Sequence, residues 1–441
     1  MPLRKIRILP RDDATNGWSR ILPHRRPRPH LTDRVEADWL VIGAGYAGLS
    51  AARRLAETRP GDAISLLEAG IAGENASGRN SGFAIGLPHN VGTSLAELDG
   101  AHRYMRLARA AIDHLGDLVE RHGIACDWSR AGKYHAAVSA RGRADVLVPH
   151  ARELEALGEP FEWLDRSQIE ARLGTPYYHA ALYTPGSVLL NPAALTRGLA
   201  DTLPPSVALY EQSPVVEIET GPTIRAVTPE GQVTAPRLIL AVNGFAEQFG
   251  VLPGRLLNYR AHASLTRPMT ADEQASLKGE RAWGLTPANA FVSVTMRRTQ
   301  DQRILVRHGL AYRPSLRVEP SEMALIRDRH LAILRQRFPM LPDLSIAHSW
   351  TGFVAVARNG APGFGAVTPN IWSAVGCNAV GVTKSTMSGL LIADLATGRD
   401  NPLIADMQSL GRPQALPPEP LRSVGVHLHN RYELWRTRHE A

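Results

Sequence analysis

Apolar residues follow two distinct patterns near the start of the chain. The runs at 38–43 and 63–69 are short, continuous and rich in aliphatic residues, which is typical of strands buried on both faces of a parallel sheet. The residues at 47–58 between them have helical spacing and are good helix formers. The pattern therefore predicts a strand–helix–strand unit.

The rest of the chain alternates between the same two patterns, with helix starts and turns between them. In chain order, the sequence predicts a helix at 94–122, a strand at 132–140, a helix that begins at Pro192, three strands within 214–242, alternating strands and helices over 253–345, and a strand, glycine loop and long helix over 370–398. Elements with the pattern of a nucleotide-binding unit thus lie at both ends and in the middle, with two insertions between them.

The composition excludes several classes of protein. The 441 residues are 44% hydrophobic and 21% charged, as in an ordinary globular protein with a large core. Neither a signal peptide nor a membrane-spanning run is visible. Cys126 and Cys377 form neither a disulfide framework nor a metal motif. We therefore expect a cytoplasmic protein without a bound metal.

The net charge of +8 is concentrated at the N-terminus. Residues 1–36 contain nine arginines or lysines and four acidic residues, which leaves five positive charges there. We expect this basic arm to be solvated or to wrap the surface, rather than to grip a nucleic acid.

Three glycines join the first predicted strand to its helix. Gly43 allows a tight turn, Gly45 allows the backbone to approach a pyrophosphate, and Gly48 allows the helix to lie close to the sheet. The helix N-terminus offers N–H groups to phosphates, and Glu68 ends the second strand, where a carboxylate can bind ribose hydroxyls. The spacing predicts a dinucleotide site; the alternative is a tight turn that binds nothing.

Three motifs together resemble those of the FAD-dependent D-amino-acid oxidase and glycine oxidase superfamily, in particular its amine-oxidising branch with γ-glutamylputrescine oxidase and the sarcosine oxidases. They are VIGAGYAGLSAARRL…LLEAG, ASGRNSGF and GCNAVGVTKSTMSGLLIADL, and the resemblance spans about 37–400. It implies FAD as the cofactor. It also implies an α/β plus α+β fold, with a Rossmann-like FAD-binding domain and an antiparallel-sheet substrate domain formed by insertions.

The resemblance divides the chain into a discontinuous pair of domains with two extensions. We expect a basic arm at 1–36, an FAD-binding domain at 37–92, 185–250 and 346–400, a substrate-binding domain at 93–184 and 251–345, and a C-terminal extension at 401–441.

The same resemblance implies the FAD contacts. ASGRNSGF would lie beneath the flavin ring and the pyrophosphate, the backbone of Val216 would meet adenine, and the GCNAVGVTKSTMSG loop would face the flavin edge that gains negative charge on reduction. The residues that we expect to contact FAD are Gly43, Gly45, Tyr46, Ala47, Gly48, Glu68, Ala69, Ser77, Gly78, Arg79, Asn80, Ser81, Gly82, Val216, Gly376, Asn378, Gly381, Val382, Thr383 and Lys384.

Departures from the family pattern are informative too. Covalent-flavin members carry a histidine or a cysteine in segments where this chain has Asn80 and no cysteine over 350–365, so we expect noncovalent FAD. Val354 replaces the arginine that glycine-oxidase-like members place near the substrate carboxylate, which argues against a simple α-amino acid. The 303–308 strand lacks the oxygen-activating lysine of monomeric sarcosine oxidase, which leaves the electron acceptor open.

Catalytic candidates come from the insertions and the last motif. His262 is the candidate base, Arg307 would bind an acidic group of the substrate, and Lys384 would face the reduced flavin or promote oxygen reduction. Tyr259 is a further candidate at the substrate. Tyr134 and His308 are further candidates, and for each Tyr and His named here the alternative is a structural role, which is more common for such residues on a strand.

The implied reaction is oxidation of a primary or secondary amine to an imine, with hydride transfer to flavin N5 and reoxidation by O2 to H2O2. The alternatives are a dehydrogenase that passes electrons to a quinone or carrier protein, and a flavoprotein of tRNA modification. We expect a small amine as partner, with a distant carboxylate or phosphonate, and neither nucleic acid nor a membrane.

Overall fold

The computed structural model describes residues 3–10, 13–88, 98–288, 293–317 and 320–440. Its strands are β1 (Arg4–Lys5), β2 (Arg34–Glu36), β3 (Trp39–Ile42), β4 (Ile64–Leu67), β5 (Phe83–Ile85), β6 (Lys133–Ala137), β7 (Glu162–Asp165), β8 (Ala180–Thr184), β9 (Ser187–Leu189), β10 (Val207–Tyr210), β11 (Glu217–Glu219), β12 (Ile224–Val227), β13 (Gln232–Ala235), β14 (Leu238–Leu240), β15 (Leu256–Thr266), β16 (Trp283–Pro287), β17 (Thr295–Arg298), β18 (Ile304–Tyr312), β19 (Ile346–Ala357), β20 (Gly363–Thr368) and β21 (Ile371–Val375).

Helices connect and cover these strands. They are α1 (Gly17–Arg20), α2 (Tyr46–Thr58), α3 (Ala76–Arg79), α4 (Leu98–His122), α5 (Ala140–Gly142), α6 (Val148–Ala156), α7 (Arg166–Leu173), α8 (Pro192–Asp201), α9 (Ala271–Leu277), α10 (Pro320–Arg337), α11 (Gly381–Thr397), α12 (Leu403–Ser409) and α13 (Leu421–Arg436), with a π-helical turn at Arg143–Leu147 and 3-10 segments at Asn243–Phe249 and Arg438–Glu440.

One half of the molecule has three layers. Its centre is a six-stranded sheet in the order β10-β4-β3-β14-β21-β20, in which the pairs are parallel except for β20 with β21. Helices α2, α4 and α11 pack on one face of this sheet. The second face lies against a five-stranded sheet in the order β1-β11-β12-β13-β2. Both faces are buried, which explains the continuous apolar runs of β3 and β4.

The other half contains an eight-stranded sheet in the order β19-β15-β18-β17-β16-β6-β8-β7. Its outer face packs on α7 and α10 through a cluster that includes Ile169, Leu334 and Phe338. Its inner face packs towards the first half, where Ala263 and Trp350 meet residues of α1 and α8. The pairs are antiparallel except for β16 with β6.

The predicted boundaries need two corrections. Strand β19 was expected in the FAD-binding segment, but it pairs along its length with β15 at the edge of the eight-stranded sheet. Helix α4 was expected in the substrate segment, but its residues Ile112 and Leu115 belong to the core around the six-stranded sheet. Both errors have one cause: the local sequence pattern predicts that a helix or strand exists, but it does not predict which neighbouring element will bury its apolar face.

The basic arm is an integral part of the fold. Its β1 and β2 form the two edges of the five-stranded sheet, and Asn16 and Trp18 are 0% and 1% exposed. Arg25 is held between Asp201 and Glu211, each at 2.8 Å. The arm therefore wraps the surface, which was one of the two arrangements that we expected. It also contributes core residues, which its net charge could not indicate.

Candidate functional site

A cavity of about 580 Å³ opens at the carboxyl ends of β3, β4 and β14. Its wall contains residues from the turn after β3, the turn after β4 and the segment after β14. Because β3 lies between β4 and β14, this is the point in a parallel sheet at which connections leave in opposite directions, where such folds bind ligands. The volume is in the usual range for a cofactor site.

The glycine turn lies in the cavity wall as the spacing predicted. Gly43 has φ +101, which favours glycine. A Cβ on Gly45 would lie 2.7 Å from Ser77 Oγ, and one on Gly48 would lie 1.7 Å from the Gly43 carbonyl oxygen. Helix α2 begins directly after Gly45, which offers no side-chain cap; Tyr46 N donates to Ser77 Oγ at 3.2 Å, and the positive dipole end of the helix lies near the cavity.

Glu68 is the buried carboxylate of the cavity. Its Oε2 accepts a hydrogen bond of 2.8 Å from Ala44 N, and its Oε1 accepts from Gly70 N and Asn75 Nδ2. Burial raises the pKa of Glu68, while these hydrogen bonds act in the opposite direction. The carboxylate is therefore fixed in position beside the glycine turn, as the spacing predicted.

The 76–82 segment forms one side of the cavity and is tied down behind it. Ser77 and Arg79 line the cavity, whereas Asn80 donates to the Ser77 carbonyl and accepts from Gly82 N. Arg297 on β17 donates from Nη1 to the carbonyls of Ser81 and Gly82. Burial lowers the pKa of Arg297 to about 10. Arg297 could not be selected from the sequence, because the carbonyls to which it donates lie more than two hundred positions away.

The arm supplies a second set of supports to this segment. Asp13 lines the cavity and forms an ion pair of 2.6 Å with Arg79. The side-chain amide of Asn16 donates to the carbonyls of Gly73 and Gly78, and Trp18 Nε1 donates to the Asn80 carbonyl. Residues Ile6, Ile8, Leu9 and Pro10 add an apolar stretch to the wall. These contacts were not predicted.

The glycine loop that precedes α11 does not line the cavity, but it is hydrogen-bonded to a residue that does. Asn243 lines the cavity, and its Oδ1 accepts hydrogen bonds from Gly376 N and Cys377 N at 3.2 and 3.1 Å. Asn378 uses its side chain to hold the backbone, since it donates to Gly360 O and accepts from Ala357 N. Those predicted residues therefore shape the loop but do not line the cavity.

Lys384 lies outside the cavity wall. Its Nζ donates to the Gly360 carbonyl at 3.2 Å and lies 5.5 Å from the centre of the Tyr104 ring. Burial lowers its pKa to about 8. The predicted contact of Lys384 with the cavity is not seen.

The adenine position also differs from the prediction. Val216 N donates to Val227 O, and the Val216 carbonyl accepts from Ile6 N, so both of its backbone groups are used within the five-stranded sheet. The neighbouring Val215 and Ser213 line the cavity instead.

The predicted cofactor residues thus fall into two groups. Those in the cavity wall are Gly43, Gly45, Glu68, Ala69, Ser77 and Arg79. Those that do not contribute to the wall are Tyr46, Ala47, Gly48, Gly78, Asn80, Ser81, Gly82, Val216, Gly376, Asn378, Gly381, Val382, Thr383 and Lys384. Within the second group, Tyr46, Gly78, Asn80 and Val216 lie directly beside a lining residue in sequence, and Gly376 and Asn378 are hydrogen-bonded to one.

Alternation along the eight-stranded sheet separates the candidate substrate residues. His262 pairs with Thr351 across β15 and β19, its Nδ1 lies 2.8 Å from Thr351 Oγ1, and that hydroxyl contacts Met323 of α10. His308 lies opposite His262 and faces His330 of α10. These residues therefore lie on the outer face of the sheet.

Tyr134 lies on the same outer face, where its hydroxyl donates to Glu280 at 2.7 Å. Burial, followed by the charge of Arg260, lowers the pKa of His262 to about 4. His262 does not line the cavity, but it contacts Thr351, which does, and its role as a base stays a prediction.

Tyr259 and Arg307 lie on the inner face. Tyr259 is directly opposite Val354 on one side and Tyr312 on the other. Arg307 is opposite Ala263, which packs against Trp18 and Trp350 of the inner cluster. Neither Tyr259 nor Arg307 contributes to the wall of the 580 Å³ cavity.

The Arg307 guanidinium forms no hydrogen bond or ion pair within the part of the chain that the structure describes. Burial lowers the pKa of Arg307 to about 10, so the guanidinium is charged at neutral pH.

Comparison with known proteins identifies the fold and the family. Residues 38–395 match the family model described as "DAO: FAD dependent oxidoreductase". The chain belongs to this family of FAD-dependent oxidoreductases.

Individual relatives agree with that assignment. The chain is 28% identical to the probable oxidoreductase OrdL of Haemophilus influenzae, over 85% of this chain and 86% of the relative. It is also 28% identical to the γ-glutamylputrescine oxidoreductase of Escherichia coli, over 84% and 86%. Glycine oxidase from Geobacillus kaustophilus has the same fold, with a TM-score of 0.70, 19% identity, and coverage of 87% of this chain and 100% of that one.

The residues of the cavity fit FAD. Gly43 and Gly45 leave the backbone open to a pyrophosphate, and the α2 N-terminus complements its charge. Asn258 lines the cavity with a buried Oδ1 that has no partner among the described residues, so it can accept a hydrogen bond from the cofactor. This DAO-family oxidoreductase therefore combines FAD-compatible donors and acceptors in one cavity.

Several cavity residues were not predicted from the sequence. Of Asn243 and Asn258, only Asn243 had a signal in the sequence, since it follows β14 at the edge where parallel strands end. Thr351 and Phe353 reach the cavity from β19 of the other sheet. In the described ranges, no group of three or more His, Cys, Asp or Glu could hold a metal ion, and none of the helices is long and apolar enough to cross a bilayer.

Proposed function

We propose that this chain oxidises the carbon–nitrogen bond of a primary or secondary amine that carries an acidic group away from the reacting carbon. The observation that carries the proposal is the presence of Arg307, opposite Ala263, and Val354, opposite Tyr259, on the same face of the sheet. A cation without a protein partner among the described residues occupies this face, while a valine replaces the family arginine that would bind an α-carboxylate.

Arg307 supports recognition of the acidic group. A guanidinium with a pKa near 10 is charged at neutral pH, and it pairs in bidentate geometry with a carboxylate or phosphonate. Val354, opposite Tyr259, offers no such contact. γ-Glutamylputrescine, after which one relative is named, is an amine with a remote carboxylate, and therefore belongs to the proposed class.

FAD, when bound in the cavity, would supply a two-electron acceptor. The substrate loses two electrons and two protons as its C–N bond becomes an imine, which water hydrolyses to an aldehyde or ketone. The protein orients the amine and excludes water, for which Tyr259, Tyr312 and Val354 provide a largely apolar inner surface. We further propose that FAD is noncovalent, since Asn80 stands where covalent relatives have histidine and 350–365 contains no cysteine.

Anaerobic reduction of the purified holoenzyme tests the substrate class. Loss of the oxidised-flavin absorbance would be measured with γ-glutamylated amines, polyamines, aminophosphonates, N-methyl amino acids and simple amino acids. Arg307→Gln should raise KM for an acid-bearing amine by about 10- to 100-fold, the usual worth of a charged hydrogen bond, and should leave polyamines almost unaffected. Arg281→Gln, at an exposed position, is the control.

Two outcomes would overturn the proposal. The first is glycine as the best reductant, and the second is an Arg307→Gln enzyme with intact FAD absorbance and unchanged KM for every acid-bearing amine. Admission of air to the reduced enzyme then identifies the acceptor: rapid peroxide formation supports O2, and slow reoxidation supports a quinone or carrier protein.

A further inference from the structure

Helix α13 presents an apolar stripe to the solvent. Five of its residues lie within an arc of about 80° on a helical projection. They are Leu421, Val424, Leu428, Tyr432 and Trp435, with exposures of 66, 54, 62, 54 and 63%. A soluble surface helix normally turns such a stripe inward. Here the opposite side of the helix faces the protein.

Polar contacts hold α13 in this orientation. Asn430 and Thr437 are buried on the inward side, and Tyr259 donates a hydrogen bond of 3.4 Å to Asn430 Oδ1. Beyond the helix, the Glu440 carboxylate accepts from Val138 N and Ser139 N at 2.8 and 3.0 Å. The helix is thus fixed at its middle and beyond its end, so the outward direction of the stripe is a property of the fold.

Basic side chains border the stripe on both sides. Arg436 and His429 project along one border, and Arg431 and His427 along the other. Glu433 is the only acidic residue in α13, which is described throughout, and it is paired with Arg436 at 2.8 Å. Arg438, just past the helix, lies over the Trp435 ring. An apolar stripe with an aromatic pair and arginine borders matches the boundary between acyl chains and anionic headgroups.

A second copy of the chain fits this surface less well. A twofold dimer places the same patch against itself, so the arginine borders would meet arginine borders with Glu433 as the sole acidic residue of the helix. An anionic lipid surface satisfies the apolar stripe and the arginines together.

We propose that α13 binds the surface of an anionic membrane, lying in the plane of the interface with the Leu421–Trp435 stripe in the acyl boundary. This is a surface attachment, distinct from a span, and it differs from our expectation of no membrane partner. At 16 residues the helix would cover about 24 Å of surface, given a rise of 1.5 Å per residue. It would also bring Tyr259, which contacts α13, close to the bilayer.

Vesicle sedimentation of the holoenzyme tests the proposal. The wild type should sediment with vesicles of phosphatidylcholine and phosphatidylglycerol, and much less with phosphatidylcholine alone. Leu428→Ser/Trp435→Ser should weaken partitioning by about tenfold or more, because two large apolar side chains are lost from the interface. Arg431→Gln should weaken it by about fivefold, and this loss should shrink at high salt.

Leu325→Ser is the matched control, since Leu325 on α10 is 74% exposed and lies outside the stripe. Retained FAD absorbance and melting temperature would show that each variant is folded. The proposal is overturned if the wild type does not sediment with anionic vesicles, or if the Leu325 variant loses as much binding as the double variant. A stable dimer that the double variant dissociates would likewise overturn it, in favour of a second copy.

Discussion

At the scale of single residues, burial decides what a charged group can do. Lys384 and Arg307 are both cations whose pKa is lowered by burial, but their surroundings differ. Lys384 is satisfied by the Gly360 carbonyl and the Tyr104 ring, so its charge is used within the protein. Arg307 has no such partner in the described ranges, and its charge is available to a ligand.

Lys384 should therefore give the protein a measurable pH dependence of stability. Its pKa falls from 10.5 to about 8 on folding, so between these values the unfolded chain holds the extra proton. The free energy of unfolding should rise with pH through this window, by an amount on the order of 1–3 kcal/mol. Lys384→Met should lose its share of that rise, as measured by urea unfolding at about pH 7.5 and about pH 10, while the share of Lys133, whose pKa burial also lowers to about 8, should remain.

The exposed Lys278 provides the comparison. Lys278→Met should keep the wild-type dependence. If the wild type and Lys384→Met instead change in parallel with pH, then the lysine does not titrate as its burial implies.

At the scale of elements, the direction of a strand outweighs the identity of its residues. His262 has the chemistry of a base, and the alternation of β15 places it on the face that it shares with Thr351 and Met323. Tyr259, three positions earlier, faces inward. A bulge at Gly309 on the paired β18 adds one residue there, so that the inward positions of β18 change parity.

The N-terminal arm is the element whose effect on the cofactor is easiest to test. Asp13→Ala removes the carboxylate that holds Arg79 at the cavity, which should weaken FAD binding by about tenfold. Titration of the apoprotein with FAD, followed by flavin fluorescence, gives the affinity. Asp33→Ala, exposed in the same arm, should bind FAD as the wild type does. Equal affinities for the two variants would show that the arm does not fix the 76–82 segment.

At the scale of the whole molecule, the cavity joins two sheets that have separate cores. Its wall combines Glu68, from the six-stranded sheet, with Thr351 and Phe353, from the eight-stranded sheet. A ligand that contacts both sheets should stabilise both sheets against unfolding. FAD at about 100 times its Kd should add about 2.7 kcal/mol to the free energy of unfolding.

Calorimetry can detect this coupling. Apoprotein with FAD should unfold in one transition at a raised temperature, whereas ADP, which lacks the flavin, should raise it less. If the protein instead unfolds in two transitions and FAD raises the temperature of only one of them, then the cofactor contacts a single sheet.

The sequence by itself determined the nucleotide-binding unit. Gly43, Gly45 and Glu68 were selected because a strand, a tight turn and a helix form a local unit whose spacing is fixed by backbone geometry, and Ser77 was selected by the family resemblance. All four line the cavity, while their contact with FAD stays a prediction. The family assignment followed from the same motifs and is confirmed by the match over 38–395.

Only the tertiary structure decided which residues complete the site. Asp13, Arg297 and Phe353 reach the 76–82 segment or the cavity across large sequence separations, and no local pattern encodes such contacts. The same holds for the faces of β15 and for the outward stripe of α13: periodicity tells that two faces differ, but the packing of neighbouring elements determines which face is buried.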